Sequence, residues 1–463
     1  MGICNKLAQR RAWKEGVKHC TFDPDGPGVV RIHLVPPRFR WFGNPSYIVI
    51  LNGYYLLPVG YSWGILLSAF LEEVNRFDGK DLGEQAVEEI VARTLSRVKR
   101  VYPRVDSEEL REDLDEILDV LFAVARGRDP HAEIEQLSIR AYAKNMWAPH
   151  RMDLMVSAMT DEVGRWQCNQ KCRFCYAAGQ PQAGTRELTT EEWEEILNRL
   201  RGAGVPMVTF TGGEPTLRPD LVRLVKHAEW FVTRLNTNGR LLSAELAEQL
   251  RGAGLDSVQI TLYSADEAVH NELVGAQGFG DTLQGIRNAV AAGLDVSVNT
   301  PLCKQNANYV ETLEMLHGLG VRFVTVSGLI CTGMAEETHA RQDLTAEELL
   351  EILGEAKAFC DANGMEMDFT SPGLVPEADL ERLGLKVPAC GAALSNMAVA
   401  PDGTVVPCQS WLGKDASLGN ILTDPFRKIW KHPLCVSLRK MNQRQALSCP
   451  FRKGGKEALH HGK

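Results

Sequence analysis

Two hydrophobic periods alternate along the middle of the chain, one typical of strands and one typical of helices. Short apolar runs of four to eight residues are followed by stretches with an apolar residue every three or four positions. Strands that alternate with helices indicate a parallel sheet with right-handed crossovers. The pattern predicts an α/β fold, a partial (β/α)6 barrel of the TIM type. Predicted strands are residues 152–159, 207–211, 231–236, 257–263, 296–301 and 322–327; predicted helices are residues 189–202, 220–227, 244–252, 282–292 and 309–319.

The first part of the chain has a different pattern, with a hairpin before the helices. Asn52-Gly53 lies between two apolar runs and predicts a hairpin of residues 47–51 and 54–59. A membrane span is the alternative for the uncharged run 46–71, but Pro58 would interrupt its helix. Three helices are predicted next, and the small domain that results is α+β and winged-helix-like. These helices are residues 61–74, 85–99 and 107–125, the last with Asp106 as its N-cap.

Three closely spaced cysteines follow the first strand of the predicted barrel. Cys168, Cys172 and Cys175 have the spacing C-x3-C-x2-C. Thiolates are the standard ligands of iron–sulfur clusters, and three of them leave one iron of a 4Fe–4S cubane without a protein ligand. Zinc also binds clustered cysteines, but no fourth Cys or His follows within one helix length. Plain structural thiols are the other alternative.

A glycine motif, Gly212-Gly213-Glu214-Pro215, ends the second predicted strand. Glycines at a strand end let a ligand approach the backbone, and the ends of barrel strands are where active sites lie. With the cysteine spacing, this motif closely resembles the radical S-adenosylmethionine (SAM) superfamily. The resemblance implies that the open iron chelates SAM and that the motif contacts its methionine end. One electron then cleaves SAM to a 5′-deoxyadenosyl radical, which abstracts hydrogen from a substrate.

The same resemblance implies further SAM-binding residues. Phe174 matches an aromatic that packs near SAM in relatives, Asn238 follows the third strand, and Asn299 ends the fifth. Thr261 takes the place of the usual serine on the fourth strand, but Leu262 stands where relatives usually have an aspartate. Structural alternatives exist, because Asn in Thr-Asn-Gly is typical of turns and Thr of strands.

The C-terminal part contains a second group of cysteines. Cys390, Gly403 and Cys408 form C-x12-G-x4-C, which resembles the opening of the SPASM or twitch extension of radical SAM enzymes. That extension houses auxiliary iron–sulfur clusters. Cys435 and Cys449 bring the candidate ligands to four, enough for one auxiliary 4Fe–4S cluster. A zinc site or structural thiols are the alternatives.

The resemblances together predict three domains, residues 1–145, 146–340 and 341–463. The N-terminal order of elements resembles the peptide-chaperone domain of pyrroloquinoline-quinone biosynthesis, which binds the leader of a ribosomally made peptide as an added strand. A structural cap on the barrel is the alternative. We therefore expect a radical SAM enzyme that cross-links or epimerises a ribosomally synthesised precursor peptide. A maturase of a protein side chain or haem precursor, and a non-enzymatic electron-transfer protein, are the other hypotheses.

Composition limits the classes of binding partner that we expect. The formal charge of −8 argues against nucleic acid as the main partner, because phosphate binding requires basic patches. Twelve cysteines without a secretion signal favour metal ligation in a reducing compartment, so we expect a cytoplasmic protein with no membrane partner. A reductant such as flavodoxin or ferredoxin is implied. Cys303, Cys331 and Cys360 are single, and each is either a hydrogen-atom donor or a buried structural thiol.

Overall fold

The computed structural model describes residues 16–22, 29–37, 46–77, 83–130, 135–336, 342–412 and 416–444. The chain divides into two compact units. The first unit is Met1–His150 with Arg201–Pro206, and the second is Arg151–Leu200 with Met207–Lys463. The three predicted domain boundaries stay predictions. Over the described ranges, every helix is too short or too polar to cross a membrane.

The first unit is built on an antiparallel sheet with the strand order β1-β2-β3-β4. The predicted hairpin is confirmed as β3 and β4, and its turn places Asn52 and Gly53 at φ +51° and +70°, as a tight hairpin turn requires. The three predicted helices are also confirmed, with the Asp106 side chain accepting from Glu108 N at the start of α3. The elements are β1 (Lys18–Phe22), β2 (Val30–Val35), β3 (Tyr47–Leu51), β4 (Tyr55–Val59), α1 (Tyr61–Asn75), α2 (Glu84–Lys99), α3 (Ser107–Ala125) and α4 (Ile139–Tyr142).

The sequence pattern did not predict β1 and β2. Residues 30–34 do alternate between apolar and polar side chains, which is a strand signal that the prediction missed. Every residue of β2 is buried, Arg31 and His33 included. Leu34 and Cys20 of these strands join the apolar core that the three long helices complete. The winged-helix-like domain is therefore a four-stranded sheet covered by helices, and not a hairpin alone.

The second unit contains a ten-stranded sheet in the order β11-β10-β9-β8-β7-β6-β5-β12-β13-β14. The six predicted barrel strands are confirmed as β5 to β10, which are all parallel and lie in sequence order. Parallel strands extend this set on both sides, β11 beside β10 and β12 beside β5. The strands are β5 (Arg151–Ser157), β6 (Met207–Gly212), β7 (Val232–Thr237), β8 (Ser257–Thr261), β9 (Asp295–Pro301), β10 (Phe323–Ser327), β11 (Glu366–Phe369), β12 (Asn396–Val399), β13 (Thr404–Val406) and β14 (Gly419–Asn420).

Helices connect the parallel strands as predicted, with one addition. Helix α8 was not predicted, because its buried face includes the polar residues His270 and Asn271 and so hides the apolar stripe. A capping box begins α5, where Thr189 and Glu192 bond to each other's backbone. The helices are α5 (Thr190–Ala203), α6 (Leu221–His227), α7 (Ala244–Gly252), α8 (Glu267–Val274), α9 (Phe279–Ala291), α10 (Tyr309–Gly318), α11 (Ala346–Ala362), α12 (Glu377–Arg382), α13 (Phe426–Trp430) and α14 (Pro433–Arg444).

The parallel strands have one apolar face and one polar face. On β8, Val258 and Ile260 are buried, whereas Gln259 and its neighbours two residues away are partly exposed. Gln259 Nε2 donates to Thr325 Oγ1 at 3.1 Å, and Thr325 in turn donates to Asn299 Oδ1 at 3.0 Å. These bonds cross from β8 to β10 on one face. The polar face of the sheet therefore carries the side chains that chemistry can use.

Candidate active site

The cysteine loop, residues 166–180, follows β5 and lies against the end of α8. Two backbone hydrogen bonds hold it there: Lys171 N donates to Val274 O, and Arg173 N donates to Leu273 O, both at 2.9 Å. Gly275 then caps α8 at φ +61°, and a Cβ there would lie 2.5 Å from Lys171 O. Glycine is therefore required at this position both for its conformation and for the close approach of the cysteine loop.

The segment after β10 holds the other side of the loop. Met334 N donates to Cys175 O at 3.1 Å. A Cβ on Gly333 would lie 2.5 Å from both Cys175 O and Tyr176 O. The loop is thus fixed between two segments from different parts of the barrel, which gives its thiols a defined position.

The three thiols of the loop are free and share one neighbourhood. Burial raises the pKa of Cys168 to about 12, and the proximity of Cys175 contributes to that rise. Burial also raises the pKa of Cys172 well above its ordinary value, with smaller contributions from Cys175 and Cys168. A thiol in such a place ionises only beside a strong positive charge such as iron. The donor set therefore fits an iron–sulfur cluster.

Within the described ranges, no three His, Cys, Asp or Glu side chains are grouped closely enough to bind a single metal ion. A cubane cluster distributes its sulfur ligands over different irons. Few protein groups compete for the thiols: Cys168 Sγ lies 4.0 Å from Asn169 Oδ1, and Cys172 Sγ lies 3.6 Å from Gln170 Oε1.

The two glycines of the predicted motif bring the end of β6 against the end of β5, the strand that leads to the cysteine loop. Gly213 N donates to Ser157 O at 2.9 Å. Gly212 has φ +140°, and a Cβ there would lie 2.4 Å from Ser157 O. A Cβ on Gly213 would lie 2.6 Å from Ala158 O. Both positions exclude any side chain, which leaves bare backbone beside the thiols. Pro215 then starts a single helical turn.

Glu214 connects the ends of β6 and β7. Its carboxylate is 1% exposed and accepts four hydrogen bonds, from the backbone and hydroxyl of Thr216, from Thr237 Oγ1 and from Asn238 N. Burial raises the pKa of Glu214, and the four donors oppose that rise. With its lone pairs used in this way, the carboxylate positions the neighbouring loop more than it offers oxygen to a ligand.

Asn238 reaches the cysteine loop directly. Its Nδ2 donates to Asn169 Oδ1 at 2.6 Å, inside the C-x3-C segment. Arg240 donates to Asn169 O at 2.7 Å from the same turn. The sequence prediction included Asn238 but not Asn169 or Arg240. No signal in the sequence marks them, because their role arises only when the two loops meet.

Two other predicted SAM-binding residues, Thr261 and Asn299, lie on the polar face of the sheet. Thr261 ends β8 opposite Asn299 of β9, and both are partly exposed. Phe174 is buried in an apolar cluster with Tyr263 and Cys303. The ring of Phe174 therefore anchors the cysteine loop, and Cys303 is fully buried beside it.

The candidate auxiliary ligands are distributed over the C-terminal segment. Cys390 Sγ lies 3.9 Å from Asn442 Nδ2, and Cys408 Sγ accepts from Ser410 N at 3.5 Å. Cys435 is buried on α14, where Arg439 donates to its sulfur at 3.4 Å. It stands two helical turns from Asn442, so its place in the same cluster as Cys390 stays a prediction. Cys449 lies outside the described residues.

Tyr176 lies between the two groups of cysteines. It follows Cys175 in the loop, and its hydroxyl donates to Gln409 Oε1 at 2.8 Å, next to Cys408. Burial raises the pKa of Tyr176, and Cys175 and Cys408 both add to the rise. A buried tyrosine therefore joins the cysteine loop to the C-terminal segment.

Comparison with known proteins identifies the family. The description "Radical SAM superfamily" matches residues 167–316, and "Iron-sulfur cluster-binding domain", the SPASM family, matches residues 390–450. A protein named PqqA peptide cyclase, from Streptomyces rochei, is 30% identical over 57% of this chain and 72% of its own length. The chain belongs to the radical SAM superfamily.

Two further radical SAM comparisons agree. A protein named AdoMet-dependent heme synthase, from Oleidesulfovibrio alaskensis, is 28% identical over 58% of this chain and 73% of its own length. The crystal structure of Streptococcus suis SuiB bound to precursor peptide SuiA shares the fold, with a TM-score of 0.58 at 16% identity. That match covers 88% of this chain and 89% of SuiB.

Membership confirms the predicted resemblance to radical SAM and SPASM proteins, the fold class and the cofactors; the resemblance of the N-terminal domain to a peptide chaperone stays a prediction. The radical SAM domain implies a 4Fe–4S cluster and SAM, and the SPASM domain implies auxiliary iron–sulfur clusters. The protein is thus a radical SAM enzyme with a SPASM-type C-terminal domain. The three thiols of the cysteine loop are compatible with a 4Fe–4S cluster. The two glycines of the motif, where no side chain fits, are compatible with SAM.

Proposed function

We propose that this radical SAM enzyme modifies a ribosomally synthesised precursor peptide, by cross-linking or epimerisation. The observation that carries the proposal is the N-terminal unit, in which β1 is a terminal strand of the sheet among the residues that the structure describes. An extended peptide can add to such a strand through main-chain hydrogen bonds. The relative named as a peptide cyclase, and the precursor peptide in the SuiB structure, support the same substrate class.

In this proposal Cys168, Cys172 and Cys175 hold the radical-generating cluster. When bound there, the cluster would supply the electron for cleavage of SAM, and hence the radical chemistry needed to remove hydrogen from the peptide. The backbone of the glycine motif receives the methionine end of SAM. Glu214 and Pro215 shape that edge, Asn238 positions the cysteine loop through Asn169, and Phe174 anchors it. Thr261 and Asn299 face SAM from the strand ends, and Cys390, Cys408, Cys435 and Cys449 are the proposed auxiliary ligands.

The experiment that tests peptide docking changes the edge of β1 that faces away from β2. His19 O accepts from the side chain of Asn75 in α1, so His19 directs its carbonyl away from β2. Because bonding alternates along an antiparallel pair, Thr21 directs its N–H outward too. Thr21→Pro removes that N–H without breaking the bonds between β1 and β2. Thr21→Ala keeps the N–H and serves as the matched control.

The test measures binding of synthetic precursor peptides, encoded beside the gene, to the full-length protein. We expect Thr21→Pro to weaken peptide binding at least tenfold and Thr21→Ala to change it less than threefold. Mass change of the peptide with SAM and a reductant reports the modification itself. No mass change in any neighbouring peptide, and equal binding by both variants, would remove the peptide from the proposal.

A second candidate substrate is a haem precursor. It is favoured by the relative named as a heme synthase, which matches 58% of this chain. In that case turnover would follow addition of an iron porphyrin and not of a peptide, and Thr21→Pro would leave turnover unchanged. For either substrate we propose a cytoplasmic reductant such as flavodoxin or ferredoxin.

A further inference from the structure

An arginine lies within the polar face of the parallel sheet. Arg234 is the third residue of β7, in register with Thr209 of β6 and Ser257 of β8. Residues in register on neighbouring strands project to the same face of a sheet. Ser257 lies on the partly exposed face of β8, two residues from Gln259. Arg234 therefore projects to the face that carries Thr261 and Asn299.

The positive charge of Arg234 is not balanced by a carboxylate of its own. Asp153 is the acid nearby, and Arg151 already binds it with two bonds, at 2.8 Å and 3.4 Å. Arg234 makes one long hydrogen bond, from Nε to Ser257 Oγ at 3.4 Å. Burial and the charge of Arg151 lower the pKa of Arg234 to about 10. Two partly exposed guanidinium groups thus lie beside one carboxylate, which Arg151 already binds.

Unpaired polar atoms surround this charge. Thr209 is 1% exposed, and its Oγ1 has no hydrogen-bond partner among the described residues. Thr209 lies in register between Asp153 and Arg234. Asn236 is two residues further along β7, and its buried Oδ1 also lacks a partner in the described ranges. Buried polar atoms are normally bonded, so these atoms point to a group that binds between them.

The position of this site connects it to the radical SAM site. Strand β7 runs from Arg234 through Asn236 to Asn238, which contacts Asn169 of the cysteine loop. Four residues of strand span about 13 Å. A molecule that reaches Arg234 from the strand ends therefore extends past the turn that contacts the cysteine loop.

We propose that Arg234, together with Arg151 and Thr209, binds a carboxylate of the substrate within the barrel. A guanidinium matches a carboxylate with two parallel bonds, and the hydroxyl of Thr209 can donate a third. The carboxylate belongs to a glutamate or aspartate side chain of a peptide, or to a propionate side chain of a porphyrin. The inference rests on the proposed function in one respect, that the substrate of this radical SAM site enters the barrel.

Thermal unfolding separates this role from a structural one. Arg218 is a buried arginine with four partners in reach, among them Asp220 and the carbonyl oxygens of Val156 and Leu188. We expect Arg218→Met to lower the melting temperature of the full-length protein. Arg234→Met removes a partly exposed charge that has no carboxylate of its own, so its melting temperature should equal or exceed that of the wild type. A clear loss of stability in Arg234→Met would assign Arg234 to the fold and overturn the proposal.

Binding of small probes to the reconstituted, SAM-loaded protein tests the ligand. The peptide probe is N-acetylglutamate N-methylamide against its glutamine analogue, and the porphyrin probe carries propionates against their methyl esters. For one of these pairs, the wild type should bind the carboxylate at least tenfold more tightly. That preference should disappear in Arg234→Met and persist in Arg223→Met, an exposed arginine of α6 paired with Glu194.

Either of two results would overturn the subsite: no preference in the wild type for either pair, or the same preference in Arg234→Met. Formation of 5′-deoxyadenosine from SAM, measured on the same samples, reports the proposed radical function separately. A protein that prefers carboxylates and fails to cleave SAM refutes that function and leaves the subsite standing.

Discussion

Glu214 shows how a single buried carboxylate can hold the ends of two neighbouring strands together. Its oxygens accept from two backbone N–H groups and two hydroxyls, at distances of 2.6 to 3.0 Å. Because Asn238 N is one of the donors, the same carboxylate fixes the turn that reaches the cysteine loop through Asn169. We therefore interpret Glu214 as a positioning residue.

Glu214→Gln should lower the free energy of unfolding by about 1–3 kcal/mol, because an amide NH2 would then face a donor in a buried place. Chemical denaturation of the full-length protein measures the change. Glu248→Gln, an exposed change on α7, is the control and should stay within about 0.5 kcal/mol of the wild type. Equal stability of both variants would show that the four hydrogen bonds are not made.

His270 gives the fold a dependence on pH. It is fully buried on α8, and its Nδ1 accepts from Tyr263 N at 3.3 Å. Burial lowers the pKa of His270 to about 4 from its ordinary value of 6.5. Between pH 4 and pH 6.5 the unfolded chain binds a proton at His270 that the folded chain does not. The stability that neutral His270 allows is therefore present above pH 6.5 and is lost as the pH falls toward 4.

The wild type should lose about 1 kcal/mol of stability through His270 between pH 7.5 and pH 5.5. His270→Gln should show a smaller loss over this range, although burial also lowers the pKa of His19 and keeps part of the effect. Urea denaturation at the two pH values provides the measurement, with the exposed His317→Gln as control. An unchanged pH dependence in His270→Gln would contradict the assignment.

At the scale of elements, α8 and the cysteine loop form one functional unit. The loop bonds to the last residues of α8, and Gly275 leaves room for Lys171 O. Gly364 has almost the same backbone, φ +64°, but a Cβ there would meet nothing within 4 Å. Substitutions at the two glycines therefore separate the energetic cost of the backbone conformation from the cost of a clash with Lys171 O.

Gly275→Ala should displace the cysteine loop and reduce the iron bound after anaerobic reconstitution to less than half of the wild-type value. Gly364→Ala should cost about 1 kcal/mol of stability through its backbone alone and bind iron normally. Iron and sulfide analysis of the two purified variants distinguishes them. Normal iron content in Gly275→Ala would mean that the contact with Lys171 does not hold the loop.

The elements also show what sequence can and cannot predict. The six parallel strands could be predicted because short apolar runs alternate with helix-type patterns. The three thiols and the glycine motif could be predicted from residue spacing. Both signals are local in the chain. Helix α8 was not predicted because buried polar residues, among them His270, interrupt its apolar stripe. Strand β2 was missed although its apolar and polar residues alternate. Asn169 and Arg234 could not be predicted from the sequence for another reason. Their hydrogen-bond partners lie on other loops or strands, so only the fold brings them together.

At the scale of the whole molecule, the C-terminal segment is part of the main sheet. Strand β12 pairs with β5, and β13 and β14 continue from it. Tyr176 adds a side-chain link, from the cysteine loop to Gln409 beside Cys408. The radical SAM site and the auxiliary cysteines therefore share one framework within the second unit.

This arrangement predicts that the auxiliary site binds iron independently of the first. The triple variant Cys168→Ala/Cys172→Ala/Cys175→Ala should retain about four irons per chain, as one 4Fe–4S cluster requires. Adding Cys390→Ala and Cys408→Ala should remove that iron. If the triple variant binds no iron, there is no auxiliary cluster, and the C-terminal cysteines are structural.

The most direct test of the account is production of 5′-deoxyadenosine from SAM by the reduced, reconstituted full-length protein under anaerobic conditions. The wild type should form it, and the triple variant of Cys168, Cys172 and Cys175 should form none above the protein-free control while keeping the fold. Formation of 5′-deoxyadenosine by the triple variant at the wild-type rate, or its absence from a wild type with full iron content, would contradict the claim that these three thiols hold the radical-generating cluster.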